Sequence, residues 1–166
     1  MEYIKELMAR YRTKGLLVDT NLLLVYFVGK YDPERVPQFK NTMKFSADEF
    51  LLLAKFLDAF DNVITTPNVL TEVSNLSGQL AENLRTAFYA DFAKSISRFE
   101  EHYSSSASIA TSAHFDRFGL TDSGIAELVK GNYLVLTDDL SLFGYLQNRG
   151  IDAINFNHLR PLAWAS

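Results

Sequence analysis

The stretch Gly15-Leu-Leu-Val-Asp-Thr-Asn-Leu-Leu-Leu-Val-Tyr-Phe-Val28 changes character at its fifth residue. Leu16, Leu17 and Val18 form a continuous apolar run after a glycine, the pattern of a strand buried on both faces of a parallel sheet. Asp19 ends that run. Ligands of open α/β sheets bind outside the carboxyl ends of the strands, so an acid here is placed for chemistry as well as for structure. Asp19, Thr20 and Asn21 also suit the start of a helix, where their side-chain oxygens accept from unpaired backbone amides. The same design returns late in the chain. Tyr133 to Leu136 form a second apolar run, Thr137-Asp138-Asp139 ends it, and a helical pattern follows from Leu140 to Arg149. Two buried strands that each end in acid predict one shared acidic site.

Between these strands the pattern alternates. Residues 2–13 carry Tyr3, Ile4, Leu7, Met8 and Tyr11 at helical spacing. Asn21 to Val28 reads as a helix broken by Gly29, Asp32-Pro33 and Pro37, and a polar loop runs to about Phe45. Ser46 with Glu49 three residues on has the form of a capping box opening a helix to about Phe60. Val63 to Thr65 reads as a strand, with Pro67 at the first position of the next helix. On that helix Glu72 lies beside the apolar face of Val69, Val73 and Leu76. Gln79 to about His102 reads as one long helix. The Ser104 to Ser112 segment reads either as a mobile connection that could close as a lid or as a helix with a weak pattern. Leu120-Thr121-Asp122-Ser123 opens another helix, with Thr121 as its cap and Asp122 on its buried face. A last strand is expected at 151–156. Strands near 15–19, 62–66, 132–137 and 151–156, alternating with helices, predict a three-layer α/β/α domain with a central parallel sheet and the first strand in the middle.

The chain has 166 residues with 48% hydrophobic content, which suits one domain over 1–166. It has no cysteine, so a disulfide framework and thiolate zinc sites are excluded. His102, His114 and His158 lack paired ligand spacing. The amino terminus lacks the basic-then-apolar order of a signal peptide, and Leu22 to Val28 is far shorter than the roughly 20 residues a bilayer requires. These features predict a cytoplasmic protein without a membrane partner. A net charge of −4 argues against a binder held mainly by phosphate neutralisation. It leaves room for a nuclease, because bound cations invert the local charge of an acidic cluster.

Asp19, Glu72, Asp122 and Asp139 are distant in sequence, yet each sits near a strand-to-helix turn or a helix start, and such turns gather on one edge. Crowded carboxylates repel and raise one another's pKa values unless cations neutralise them. Hard divalent ions, Mg²⁺ or Mn²⁺, match this oxygen set. Basic residues near the strand ends, Arg12, Lys14 and Arg117, are candidates for guiding a phosphate backbone.

In these motifs the sequence resembles the PIN-domain nucleases, which include toxins of bacterial toxin/antitoxin pairs. The resemblance rests on Leu-Leu-Val-Asp-Thr-Asn at 16–21 and Thr-Pro-Asn-Val-Leu-Thr-Glu-Val at 66–73. It continues through Leu-Thr-Asp-Ser at 120–123 and Leu-Val-Leu-Thr-Asp-Asp-Leu-Ser-Leu at 134–142, in the family's order. It implies a PIN-like fold and an endoribonuclease that cleaves unpaired RNA through metal-activated water, leaving a 5′-phosphate and a 3′-hydroxyl. The implied metal ligands are Asp19, Glu72, Asp122 and Asp139. The family's final motif selects Asp139 over Asp138, which would assist. Thr20, Asn21, Ser123 and Thr137 would hydrogen-bond the ligating carboxylates or a water on the metal. An antitoxin-like protein and a second copy in a homodimer are the protein partners the resemblance offers. The expanded segment from Gly29 to Phe60 and the long helical stretch before Asp122 set this chain apart from small toxins.

Two other readings share some of these residues. Haloacid-dehalogenase-like phosphatases also place an aspartate after the first strand and a paired Asp-Asp after a later one. They need a second acid two residues beyond the nucleophile, where this chain has Asn21. The other rival is a PIN-like module that binds RNA or protein without cutting, and four crowded acids argue against it. The sequence alone also predicts that Asp19→Asn is at least as stable as the parent without metal and loses most of the metal-dependent stabilisation.

Overall fold

The computed structural model describes residues 2–163. An amino-terminal helix, α1 (Glu2–Tyr11), leads to β1 (Leu16–Val18), α2 (Thr20–Tyr31) and α3 (Ala47–Leu57). Then come β2 (Val63–Thr65), α4 (Pro67–Ser77), α5 (Glu82–Ile96), β3 (Glu100–Glu101), α6 (Ser106–Ile109) and α7 (Phe115–Val129). β4 (Leu134–Thr137), α8 (Leu140–Asn148) and β5 (Ala153–Asn155) complete the order. The five strands form one all-parallel sheet ordered β3-β2-β1-β4-β5, flanked by helices in a three-layer α/β/α arrangement with β1 in the centre. Each of the described helices is too short or too polar to cross a membrane.

The strand order explains why the acids can meet. The chain builds outward from β1 to β2 and β3, then returns to the other flank of β1 to add β4 and β5. The crevice at that reversal, between the carboxyl ends of β1 and β4, is where such sheets bind ligands. Register does the rest: Val18 is opposite Leu136, so Asp19 follows level with Thr137, and the Asp19 amide bonds to Leu136 O at 3.0 Å. Leu16, Leu17, Val18, Leu134, Val135 and Leu136 are all fully buried.

Four of the five strands fall within the ranges read from the sequence. The fifth, β3, lies inside the region read as one helix from Gln79 to His102. It is two exposed glutamates on the sheet edge, paired with Ile64 and Thr65, and an acidic edge strand carries no apolar run to betray it. The helix ends at Ile96 instead. α2 also runs past Gly29 to Tyr31. Gly29 is not a breaker but a place of close approach, since a Cβ there would lie 2.2 Å from the Phe50 ring of α3. The Ser46 and Glu49 capping box is present, and Glu49 is buried as well.

Within the 104–112 segment the helical alternative holds. The segment contains α6, capped by Ser105 and anchored by the buried Ile109. α7 starts earlier than the sequence suggested and breaks at Gly119, whose φ of 69° and ψ of −165° suit glycine alone. The helix resumes there and brings Thr121 and Asp122 to the sheet edge in its first regular turn.

Candidate active site

Asp19 is 4% exposed and caps α2, its Oδ1 accepting from Leu22 N at 3.0 Å. Its Oδ2 accepts from the Thr137 hydroxyl and from Asp138 N at 3.0 Å. Burial pushes the Asp19 carboxyl up to about 7, and the Asp138 charge adds to the rise, against the lowering effect of those three donors. Asp138 is engaged at both oxygens too: Asn21 Nδ2 donates to Oδ1 at 3.2 Å and Lys44 Nζ to Oδ2 at 2.5 Å. This side of the edge is closed by its own contacts.

The other side is open. Asp139 caps α8, with Oδ1 accepting from Ser141 N at 2.6 Å and Leu142 N at 3.0 Å, while Oδ2 takes no hydrogen bond from the described residues. Asp122, half-buried on α7, takes none at either oxygen from the described residues. Its carboxyl is pushed up to about 6, first by burial and then by the charges of Asp139 and Glu72. Glu72 is exposed on α4 and held by two hydroxyls, Thr121 to Oε1 at 2.6 Å and Thr20 to Oε2 at 3.0 Å. All the predicted acids are therefore joined along one edge, linked through Thr20, Thr121, Thr137 and mutual repulsion.

Of the predicted orienting residues, Thr20, Asn21 and Thr137 each bond a site carboxylate. Ser123 does not: its hydroxyl is buried without a partner among the described residues, one position along a helix turning away from the carboxylates. Thr121, read from the sequence as a backbone cap, takes that role through Glu72.

The basic candidates divide. Arg117 Nη2 donates to Ser141 Oγ at 2.9 Å, beside the α8 amino terminus, so it belongs to this edge. Arg12 and Lys14 do not. They precede β1, at the opposite end of a strand whose carboxyl end carries Asp19, and Arg12 faces Asp61 at 3.6 Å while Lys14 lies over Tyr11. Their place near β1 in sequence does not bring them to Asp19, because position next to a strand does not say which end of it the site uses.

Lys44 and the wall that carries it escaped the sequence reading. Arg160 Nη2 donates to Lys44 O at 2.8 Å, and its guanidinium also bonds Glu49 at 2.6 and 3.2 Å. Asn157 Nδ2 donates to Asp138 O at 3.0 Å. These partners are more than 100 residues apart in the pairs that involve Lys44 or Glu49 with Arg160, and no local pattern announces them.

Among the described residues no three His, Asp or Glu side chains converge into a ready-made ion cage. Mg²⁺ does not ask for one, since it keeps several waters and takes one or two carboxylates. Asp122 and Asp139 fit that requirement: they repel each other, and they retain the carboxylate oxygens that the described residues leave unbonded. In comparisons with known proteins, no family model matches the chain and no curated protein matches it significantly.

Proposed function

We propose that this protein is a Mg²⁺- or Mn²⁺-dependent endoribonuclease that cleaves unpaired RNA. The observation that carries the reading is the pairing of Asp122 and Asp139, two mutually repelling carboxylates with unbonded oxygens at the switch point of a parallel sheet. The sequence resemblance to the PIN-domain nucleases, motif by motif across 16–142, supports the same chemistry.

In this reading Asp122 and Asp139 would hold the ion, with Glu72, whose charge faces Asp122, beside them. When bound, the ion supplies an activated water and neutralises charge that builds on the phosphoryl oxygens. Glu72, clamped by Thr20 and Thr121, would accept a hydrogen bond from that water and orient it. Asp19 is a structural acid: it caps α2 and fixes the Thr137-Asp138 turn through its two oxygens. Arg117 meets the backbone phosphate next to the cleaved one. Unpaired RNA is the better substrate because its flexible backbone can enter an acidic notch that a rigid duplex cannot. The buried, fully engaged carboxylate of Asp19 weighs against an aspartyl-phosphate mechanism, which needs that group open to substrate.

The test is cleavage of labelled single-stranded RNA, duplex RNA and single-stranded DNA with Mn²⁺, beside chelator and the variants Asp122→Asn, Asp139→Asn and Glu72→Gln. Cutting of single-stranded RNA, abolished by chelator and by the aspartate substitutions, is expected. Cleavage that persists in all three variants would belong to another site or a contaminant, and preference for DNA would overturn the substrate class.

A further inference from the structure

Lys44 is an unusual neighbour for a metal site. Its ammonium lies 2.5 Å from Asp138 Oδ2, and that carboxylate is only 5% exposed. A lysine on an exposed surface pair is loosely held and contributes little. This one is fixed. The preceding turn is tied by the buried Thr42, whose hydroxyl donates to Val36 O at 2.8 Å. Phe45 is buried against Phe156, and Arg160 grips the Lys44 carbonyl while spanning to the buried Glu49. The segment that carries Lys44 is the expansion between α2 and α3, which the resemblance to small nucleases leaves without a role.

We propose that Lys44 is a built-in counter-cation that takes the place of a second divalent ion on the Asp138 side of the acidic edge, so that this site works with a single metal ion. The inference rests on the nuclease reading above. Two-metal sites hold their ions about 3.5–4 Å apart, each sharing the acidic cluster. An ion bound to the same oxygen of Asp138 as Lys44 would lie within about 4.6 Å of the ammonium, given a Mg–O distance near 2.1 Å. That contact is repulsive. One ion therefore has room on the Asp122 and Asp139 side, and Lys44 supplies the second positive charge facing the scissile phosphate.

The experiment counts Mn²⁺ on the full chain by electron paramagnetic resonance of free ion, in the parent, Lys44→Met, Lys44→Arg and Lys44→Met/Asp138→Asn. Methionine keeps the apolar stem over Phe45, where Lys44 Nζ lies 5.2 Å from the ring centroid. Circular dichroism melts establish that each variant is folded, and Lys44→Gln replaces the methionine if it is not. The parent and Lys44→Arg are expected to bind one Mn²⁺, Lys44→Met two, and the double variant one again. In parallel, Lys44→Met should lose roughly tenfold in kcat at low Mn²⁺ and recover at high Mn²⁺, with a second-order ion dependence. Two ions on the parent, or one on a folded Lys44→Met, would overturn the role of Lys44 while leaving the nuclease intact. A parent that binds no Mn²⁺ and cuts no RNA would remove the nuclease reading and this inference together.

Discussion

On the β1 side of the acidic edge, Asp19 and Asp138 have every carboxylate oxygen engaged by the protein itself; on the α7 side, the described residues engage neither oxygen of Asp122 and only one of Asp139. The residue type is the same, and the backbone around it makes the difference. Asp19 and Asp138 face a helix start, a threonine hydroxyl and a lysine. Asp122 comes after the Gly119 break, on a helix turn where no donor among the described residues bonds it. The closed pair holds the turn in shape, and the open pair carries unneutralised charge. A cluster of acids is thus two devices, and experiments can separate them.

The largest effect should come from the open side. Asp122→Asn and Asp139→Asn should each reduce metal-dependent cleavage on the order of 10³-fold, several kcal/mol of transition-state stabilisation. Both should also lose the rise in Tm that Mg²⁺ gives, because the folded protein would no longer bind the ion preferentially. Sequence reasoning placed that loss on Asp19→Asn; the hydrogen bonds of Asp19 move it to Asp122. A thermal-shift series with and without Mg²⁺ decides between them, and a full Mg²⁺ response in Asp122→Asn would end the distinction.

Next in size is the wall behind the closed side. Arg160→Met strands the buried Glu49 charge, and breaking such a pair costs about 3 kcal/mol, toward the lower end of its range because Arg160 is 25% exposed. For a chain of this length that lowers Tm by roughly 10 °C. Glu49→Gln in the same protein should recover most of the loss. Chemical denaturation of the single and double variants measures both, and a mild loss in Arg160→Met would mean that the wall is not rigid.

A smaller effect separates the two sides by pH. The folded-state pKa values of Asp19 and Asp122 are raised, to about 7 and about 6, chiefly by burial. The folded protein therefore holds protons that the unfolded chain has lost between about pH 4 and 7, and metal-free stability should fall as pH rises through that window. Mg²⁺ should flatten the slope. At pH 8 without metal, Asp122→Asn should raise Tm by several degrees, since it removes a repelled charge and breaks no hydrogen bond to the described residues. Asp19→Asn should gain less or nothing. Its amide has one acceptor oxygen, whereas Leu22 N and Asp138 N use different oxygens of Asp19, so one backbone N–H is left facing another donor at a cost of about 1–3 kcal/mol. Equal gains in both variants would show that hydrogen bonding does not distinguish the two sides.

How much of this was legible in the sequence depends on how local each cause is. β1 and β4 were readable because a buried parallel strand is a continuous apolar run, and Asp19, Asp138 and Asp139 were readable because they end those runs. Glu72 was readable from its place beside an apolar helical face. β3 was hidden because an exposed edge of two glutamates has no pattern. Thr121 looked like a cap because only the fold brings α4 within reach of its hydroxyl. Lys44 was invisible for the same reason: its partner is 94 residues away, and its support comes from Arg160 at the far end of the chain.

The last comparison concerns the substrate rather than the ion, and has the smallest expected effect. Arg117 and the pair Arg12 and Lys14 looked alike in sequence, each a cation near a strand or helix end. The fold sends them apart. Arg117 lies beside Ser141 at the start of α8, next to Asp139, with its guanidinium 4.8 Å from the Phe118 ring centroid and no carboxylate partner among the described residues. Arg12 and Lys14 stand before β1, beyond the other end of the sheet. RNA affinity can be measured without cutting by using the Asp122→Asn background and a labelled single strand across a salt series. Arg117→Ala should weaken binding about threefold and reduce the dependence of log K on log salt by roughly 0.7, the signature of one phosphate contact to a single strand. Arg12→Ala and Lys14→Ala should change neither, because a strand running along the acidic edge does not reach them. Losses of equal size at all three positions would place the RNA across the whole molecule, and the acidic edge would then be one stop on a longer path.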